Sequence, residues 1–273
     1  MSCWKYWPKI EEIAEELEDY GVDTLDDLES LDSININEIT KLLDEIEIIA
    51  HDEEIDFNSA KHILDDAKMN KALKLIRKFY LYIGARLEKE NAEDIINSDN
   101  PKAELDKFHF YERYKGLLTN ESKLAKFDED KTFVFIGSGP LPLTLIMFAE
   151  TFGCKCIGIE IQEDVAELSR KVIDSLNLSD KIEIIVGDEN KLKELDYDIV
   201  MVAAFAEPKE RVFANVWETV DTKTPVLVRT YSGMRAILYA PLTDKVLRGF
   251  HKEIMLLPIG NTNNTSVLLR KVL

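Results

Sequence analysis

The chain has 273 residues, 45% of them hydrophobic and 32% charged, which suits one large or two ordinary globular domains with real cores. Its formal net charge is −18, and this disfavours partnership with nucleic acid, whose phosphates need clustered Lys and Arg, or with an anionic membrane. Met1 to Ile10 lacks the basic flank and apolar stretch of a secretory leader, and no apolar run reaches the length of a membrane span, so the expected compartment is cytoplasmic.

Residues 1–128 predict an all-helical domain. Glycine is scarce there, and apolar residues recur every three or four positions. Leu42, Leu43, Ile46 and Ile49 form one stripe; Leu73, Ile76, Tyr80, Ile83 and Leu87 form another. Asp99-Asn100-Pro101 reads as a turn that starts a helix. Phe108, Phe110, Tyr111, Tyr114, Leu117 and Leu118 then make an aromatic helical face, suited to a core or to the interface of a homodimer. The polar run Phe127 to Lys131 marks the boundary.

Residues 129–273 alternate between strand and helix patterns. Strands are predicted at 132–136, 155–160, 182–187, 197–203, 225–230, 250–256 and 265–271. Helices are predicted near 141–152, 163–176, 207–219 and 233–239. Such βαβ alternation implies a parallel sheet with helices on both faces. The last two strands have no helix between them and should pair antiparallel.

Phe135 to Thr144 reads Phe-Ile-Gly-Ser-Gly-Pro-Leu-Pro-Leu-Thr, between the first predicted strand and the first helix of this domain. Gly137 and Gly139 allow a tight turn and a close backbone approach to a ligand, as where nucleotide-binding α/β folds begin. The third glycine of a dinucleotide fingerprint is replaced by Pro142. Glu160, 21 residues after Gly139, ends the second strand, where a carboxylate can accept from ribose hydroxyls. Asp188 follows the third strand and suits the exocyclic amine of adenine, although it would also make a good helix N-cap. Together these favour S-adenosylmethionine over NAD. The fold expected is therefore α/β: a Rossmann-like class I S-adenosylmethionine-dependent methyltransferase fold with an N-terminal all-α helical domain.

Cys154 and Cys156 lie on one face of a strand and read as buried thiols, since a lone C-x-C lacks partner ligands for zinc; with Cys3 they make no disulfide framework. His51, His62, His109 and His251 have no metal-binding spacing. No metal site is expected.

Four segments resemble the nicotianamine synthase family: Phe135 to Thr144; Val202-Ala-Ala-Phe-Ala-Glu-Pro-Lys209; Val228 to Tyr239; and Asn263-Asn-Thr-Ser-Val267. The helical half, from Leu42-Leu-Asp-Glu-Ile-Glu47 to Ile76-Arg-Lys-Phe-Tyr80, looks like short prokaryotic members. The resemblance implies transfer of the 3-amino-3-carboxypropyl group of S-adenosylmethionine, used as a substrate, to an amine. The amine would belong to an amino acid primer such as glutamate or to a growing chain. Methylthioadenosine would leave, and the product, nicotianamine or an analogue, would chelate metal without the enzyme needing any. An ordinary small-molecule methyltransferase and a non-catalytic cofactor sensor are the alternatives. Plant-type members have a histidine where this chain has Ser232, which leaves the primer and the number of transfers open.

Such chemistry needs a base, because amino acid amines are mostly protonated at neutral pH. Glu88 is the candidate: it sits at the edge of the 73–87 stripe, one turn after Gly84, and the resemblance places the family's catalytic glutamate there. Read alone, it also suits a solvated position in Glu88-Lys-Glu90. Tyr114 matches the family's active-site tyrosine, or is one more core aromatic. Gly137, Ser138, Gly139, Pro140, Glu160, Asp188 and Ala203 are the expected cofactor contacts. Arg235 is expected to clamp a substrate carboxylate. Arg229 and Tyr231, at the end of the fifth strand, are expected to face the ligand side as well. The helical domain is the expected lid.

Overall fold

The structure, a computed structural model, describes residues 3–272; Met1, Ser2 and Leu273, and the side chains of Cys3 and Trp4, lie outside the description. The chain divides into two compact units. One comprises the N-terminal residues to Arg86 together with Tyr231–Pro241; the other comprises Leu87–Thr230 and the chain from Leu242. The compact division thus falls within a helix, after Arg86, whereas the composition of the sequence changes near 128.

The first unit is built on α1 (Trp7–Asp19), α2 (Leu25–Glu29), α3 (Ser33–Ala50), α4 (Phe57–Leu64) and the start of α5 (Asn70–Asn97). Local chemistry starts these helices. Thr24 and Asp27 form a reciprocal capping box, Asp32 accepts from Asn35 N at 2.9 Å, and Asp56 accepts from Ser59 N at 2.8 Å. The acidic residues of this stretch therefore serve as caps as well as a solvated surface. The expected stripes turn inward: Leu43, Ile46 and Ile49 on α3, and Leu73, Ile76, Tyr80 and Ile83 on α5, are buried. Tyr231, Met234, Ile237 and Leu238 of the returning segment are buried as well, and Arg77 donates to Ala236 O at 2.6 Å.

The second unit holds the sheet. Its strands are β1 (Thr132–Ile136), β2 (Lys155–Glu160), β3 (Ile182–Val186), β4 (Ile199–Val202), β5 (Val226–Thr230), β6 (Phe250–Leu256) and β7 (Thr265–Lys271). The order is β3-β2-β1-β4-β5-β7-β6, with β7 antiparallel to both neighbours. This is the strand order of class I methyltransferases, with the expected antiparallel pair at the edge. Alternation sends Phe133 and Phe135 into one core and Val134 and Ile136 into the other. The first core receives Ala92 and Ile95 from α5, Leu105 from α6 (Pro101–Leu105), and residues of α7 (Tyr111–Glu121), α8 (Leu143–Phe152) and α9 (Glu163–Ser175). The second receives Val212, Phe213 and Val216 of α10 (Lys209–Thr219). Burying a side chain such as Phe133 or Phe213 contributes about 1.5–3 kcal/mol.

The aromatic face of 108–118 belongs to the first core. Phe108 is part of it, Phe110, Tyr111, Tyr114 and Leu118 pack against it, and Leu117 is buried. The helix expected from 141 begins at Leu143, because the chain stays irregular through Pro142. Short 3-10 turns at Glu189–Glu194 and Gly233–Ile237 replace, respectively, an unpredicted stretch and a predicted helix. Among the described residues, no helix is long and apolar enough to cross a membrane.

Candidate active site

In a parallel sheet the carboxyl ends of the strands leave a shared edge where loops can hold a ligand. The loop after β1 is held there by hydrogen bonds to its neighbours. Gly137 N donates to Ile159 O at 2.8 Å, and Ala203 N donates to Ile136 O at 3.0 Å. Gly139 N donates to Glu160 Oε2 at 3.0 Å. Gly137 and Gly139 have φ of +80° and +69°, so glycine is required at both positions. A Cβ on Gly137 would lie 3.3 Å from the Ala203 Cβ, which explains how closely Ala203 borders the turn. Ser138 is buried beside them, and among the described residues its Oγ has no partner.

Glu160 is buried, and its second oxygen accepts from Gln162 N at 3.1 Å. It therefore fixes the loop; a carboxylate accepting two amides still has lone pairs for sugar hydroxyls. Asp188 accepts from Asn190 N at 3.0 Å and caps the 3-10 turn that follows, so the capping reading of this residue holds in the structure.

Glu88 comes to the same edge. Its Oε2 would lie 3.1 Å from a Cβ on Gly139. The Tyr114 hydroxyl, from α7, donates to Glu88 Oε1 at 3.3 Å. Burial pushes the Glu88 carboxyl up to about 7; the Tyr114 hydrogen bond and the positive charge of Arg229 pull it down, and Glu160 pushes it further up. Burial, followed by the charge of Glu88, drives the Tyr114 phenol far above its ordinary value, so it stays a hydroxyl and can only donate to or relay through the carboxylate. A carboxyl poised near neutrality, beside a neutral hydroxyl and a glycine loop, can accept a proton from an amine at physiological pH.

Arg229 is not presented as an open clamp. Its Nε donates to Glu121 Oε1 at 2.6 Å and its Nη2 to Glu121 Oε2 at 2.8 Å, and both residues are buried. Glu121 carried no signal in the sequence. Tyr231 and Arg235 fall in the other unit. There Tyr231 is buried between the rings of Tyr80 and Tyr239, at 6.4 and 5.7 Å, and Arg235 is half-buried with Glu53 among its charge neighbours. Among the described residues no group of three His, Cys, Asp or Glu is placed to hold a metal ion, and Cys154 and Cys156 are buried thiols 3.7 Å apart.

A family model described as "Nicotianamine synthase protein" matches residues 10–273. The chain belongs to the nicotianamine synthase family. A crystal structure of MtNAS in complex with MTA and tNA is 50% identical, with a TM-score of 0.93, over 99% of this chain and 100% of that one. A glutamate-to-glutamine mutant of MtNAS in complex with S-adenosylmethionine superposes with a TM-score of 0.91 over 99% of each chain. Nicotianamine synthase of Solanum lycopersicum is 26% identical over 198 residues, 68% of this chain and 62% of the relative. L-histidine 2-aminobutanoyltransferase of Yersinia pestis is 25% identical over 136 residues, 49% of this chain and 50% of the relative. The alignments with these two curated relatives thus span between half and two thirds of their lengths.

Proposed function

We propose that this nicotianamine synthase family protein transfers the 3-amino-3-carboxypropyl group of S-adenosylmethionine to the amine of an amino acid such as glutamate, or to the amine of the chain so formed. The observation that carries the proposal is the Glu88 carboxyl, poised near neutrality with Tyr114 donating to it, against the loop residue Gly139. Binding of S-adenosylmethionine and MTA by MtNAS supports the donor and the by-product. A transfer to L-histidine, as in the name of the Yersinia pestis relative, supports an amino acid as acceptor.

In this reaction the amine nitrogen attacks the sulfonium-bound carbon of the aminocarboxypropyl arm. A C–N bond forms, the C–S bond breaks, and its electron pair stays on sulfur as neutral methylthioadenosine. Glu88 takes the proton that the amine must lose, and the Tyr114 hydroxyl holds that carboxylate in place. Three carbons surround a sulfonium, so the carbon attacked is selected by where the amine is held and not by intrinsic reactivity. The loop 137–140, with Ala203, Glu160 and Asp188, is proposed to bind the nucleoside end. Tyr231 and Arg235 are proposed for the acceptor.

The test is to incubate the protein with S-adenosylmethionine and candidate amino acids and to identify the nucleoside released by mass spectrometry. Methylthioadenosine is expected, and the mass gained by the acceptor counts the transfers. S-adenosylhomocysteine would make the protein a methyltransferase instead.

A further inference from the structure

Glu121 ends α7 and Arg229 lies on β5, 108 residues apart in sequence and both more than nine-tenths buried. A carboxylate and a guanidinium taken out of water in this way add little net stability; an apolar pair would serve a core as well. The position of the cation suggests what the pair does instead. The Arg229 guanidinium carbon lies 5.5 Å from the centres of the Tyr114 and Phe135 rings, and the Tyr114 hydroxyl reaches Glu88. Without the opposing charge of Glu121, this guanidinium would act more strongly on the ionised Glu88 and favour it as a charge partner, a poor proton acceptor.

We propose that Glu121 is a positioning residue for the reaction: by engaging both prongs of Arg229 it keeps that cation beside the Tyr114 ring and off the Glu88 carboxylate. This rests on the reading of Glu88 as the base. The frame around Glu121 is built to hold it still. Asn120, buried, donates to Leu257 O at 3.1 Å, and Gly116, one turn earlier, leaves no room for a side chain against Thr262 Oγ1. On β7, Ser266 pairs with Arg229 across the ladder, so no long side chain competes for the guanidinium from that position. The charged and titratable groups bearing on Glu88 are Tyr114 from α7, Glu160 from β2 and Arg229 from β5. Its helix neighbours Lys89 and Glu90 are exposed.

The experiment titrates Glu88 directly in the full-length protein. The carboxyl stretch that disappears in Glu88→Gln is followed against pH by infrared difference spectroscopy. In the parent protein its midpoint is expected at about 7. In Glu121→Gln the Arg229 charge, no longer balanced by Glu121, should lower that midpoint by about one pH unit, and kcat should fall more than KM changes. In Glu121→Gln/Arg229→Met the midpoint should return to the parent value or above. An unmoved midpoint in a folded Glu121→Gln protein would overturn the proposal. Glu121→Asp, which keeps the charge but shortens its reach, is the second variant. It should give a smaller downward shift, and no shift there overturns the proposal equally. The spectrum is independent of the product, so release of S-adenosylhomocysteine would sink the transfer reaction alone. A parent midpoint near 4.5 would instead remove Glu88 as the tuned base.

Discussion

The Tyr114 hydroxyl donates to Glu88 Oε1 across 3.3 Å, joining α7 to α5 at the loop that follows β1. The carboxyl is raised toward neutrality by burial while the phenol stays protonated, so in the proposed reaction the two have complementary roles: one would accept a proton, the other would hold the acceptor in place.

Replacing Glu88 by Gln keeps the shape and removes the base. Turnover should fall by about 10²–10⁴ while S-adenosylmethionine still binds, because the loop contacts are made by Gly137, Gly139 and Glu160. Calorimetry for binding and methylthioadenosine release for turnover separate the two. Undiminished release would remove Glu88 from the mechanism.

The rate should rise with pH around a midpoint near 7, since protonated Glu88 cannot accept a further proton. Tyr114→Phe deletes a hydrogen bond that favours the ionised carboxylate. The midpoint should therefore move to higher pH, with a loss of roughly tenfold in kcat at neutrality. A pH–rate profile displaced to lower pH would contradict the donor role of Tyr114.

Much of this arrangement was legible in the sequence, and the reasons differ by element. β1 to β7 were found within two residues at each end: β1, β4 and β5, buried on both faces, read as short apolar runs between turns, whereas β6 is exposed along most of its length. Gly137 and Gly139 were legible because only glycine suits their positive φ. Glu88 and Tyr114 were visible only through resemblance: they lie 26 positions apart on α5 and α7, with α6 between, and each alone suits a bland reading. The Glu121–Arg229 pair was not legible at all, since no periodicity marks a buried acid whose partner is 108 residues away. The break in composition near 128 did not foretell that α6 and α7 pack with the sheet, because an amphipathic helix does not record which surface covers it.

Glu88 should also leave a mark on stability. Its folded carboxyl is raised above the ordinary 4.5, so the folded protein holds a proton that the unfolded chain releases. That contribution is fully present below 4.5 and is lost as pH rises through about 7. Glu88→Gln escapes the loss, so its melting temperature relative to the parent should be higher at pH 8 than at pH 5. Each ~1 kcal/mol of difference would appear as roughly 2–4 °C. Parallel melting curves at both pH values would show that Glu88 is not raised.

Glu160→Ala should weaken S-adenosylmethionine binding before it affects chemistry. The change strands the Gly139 and Gln162 amides and releases the loop. Losing the acceptor of a buried amide costs about 1–3 kcal/mol, which corresponds to roughly a tenfold to hundredfold rise in the dissociation constant. Unchanged affinity by calorimetry would show that the loop holds its shape without Glu160.

Gly139→Ala tests whether loop and base are one mechanical unit. The new residue must adopt φ near +69°, at a cost of about 1–2 kcal/mol for an L-residue. Its Cβ would also stand 3.1 Å from Glu88 Oε2, closer than a methyl group and a carboxylate oxygen usually rest. The carboxylate has to move, and with it the hydrogen bond to Tyr114. Both affinity and kcat should therefore fall, the latter by tenfold or so. A variant that lost affinity but kept the parent kcat at saturating donor would mean that Glu88 reaches the amine by a path independent of the loop.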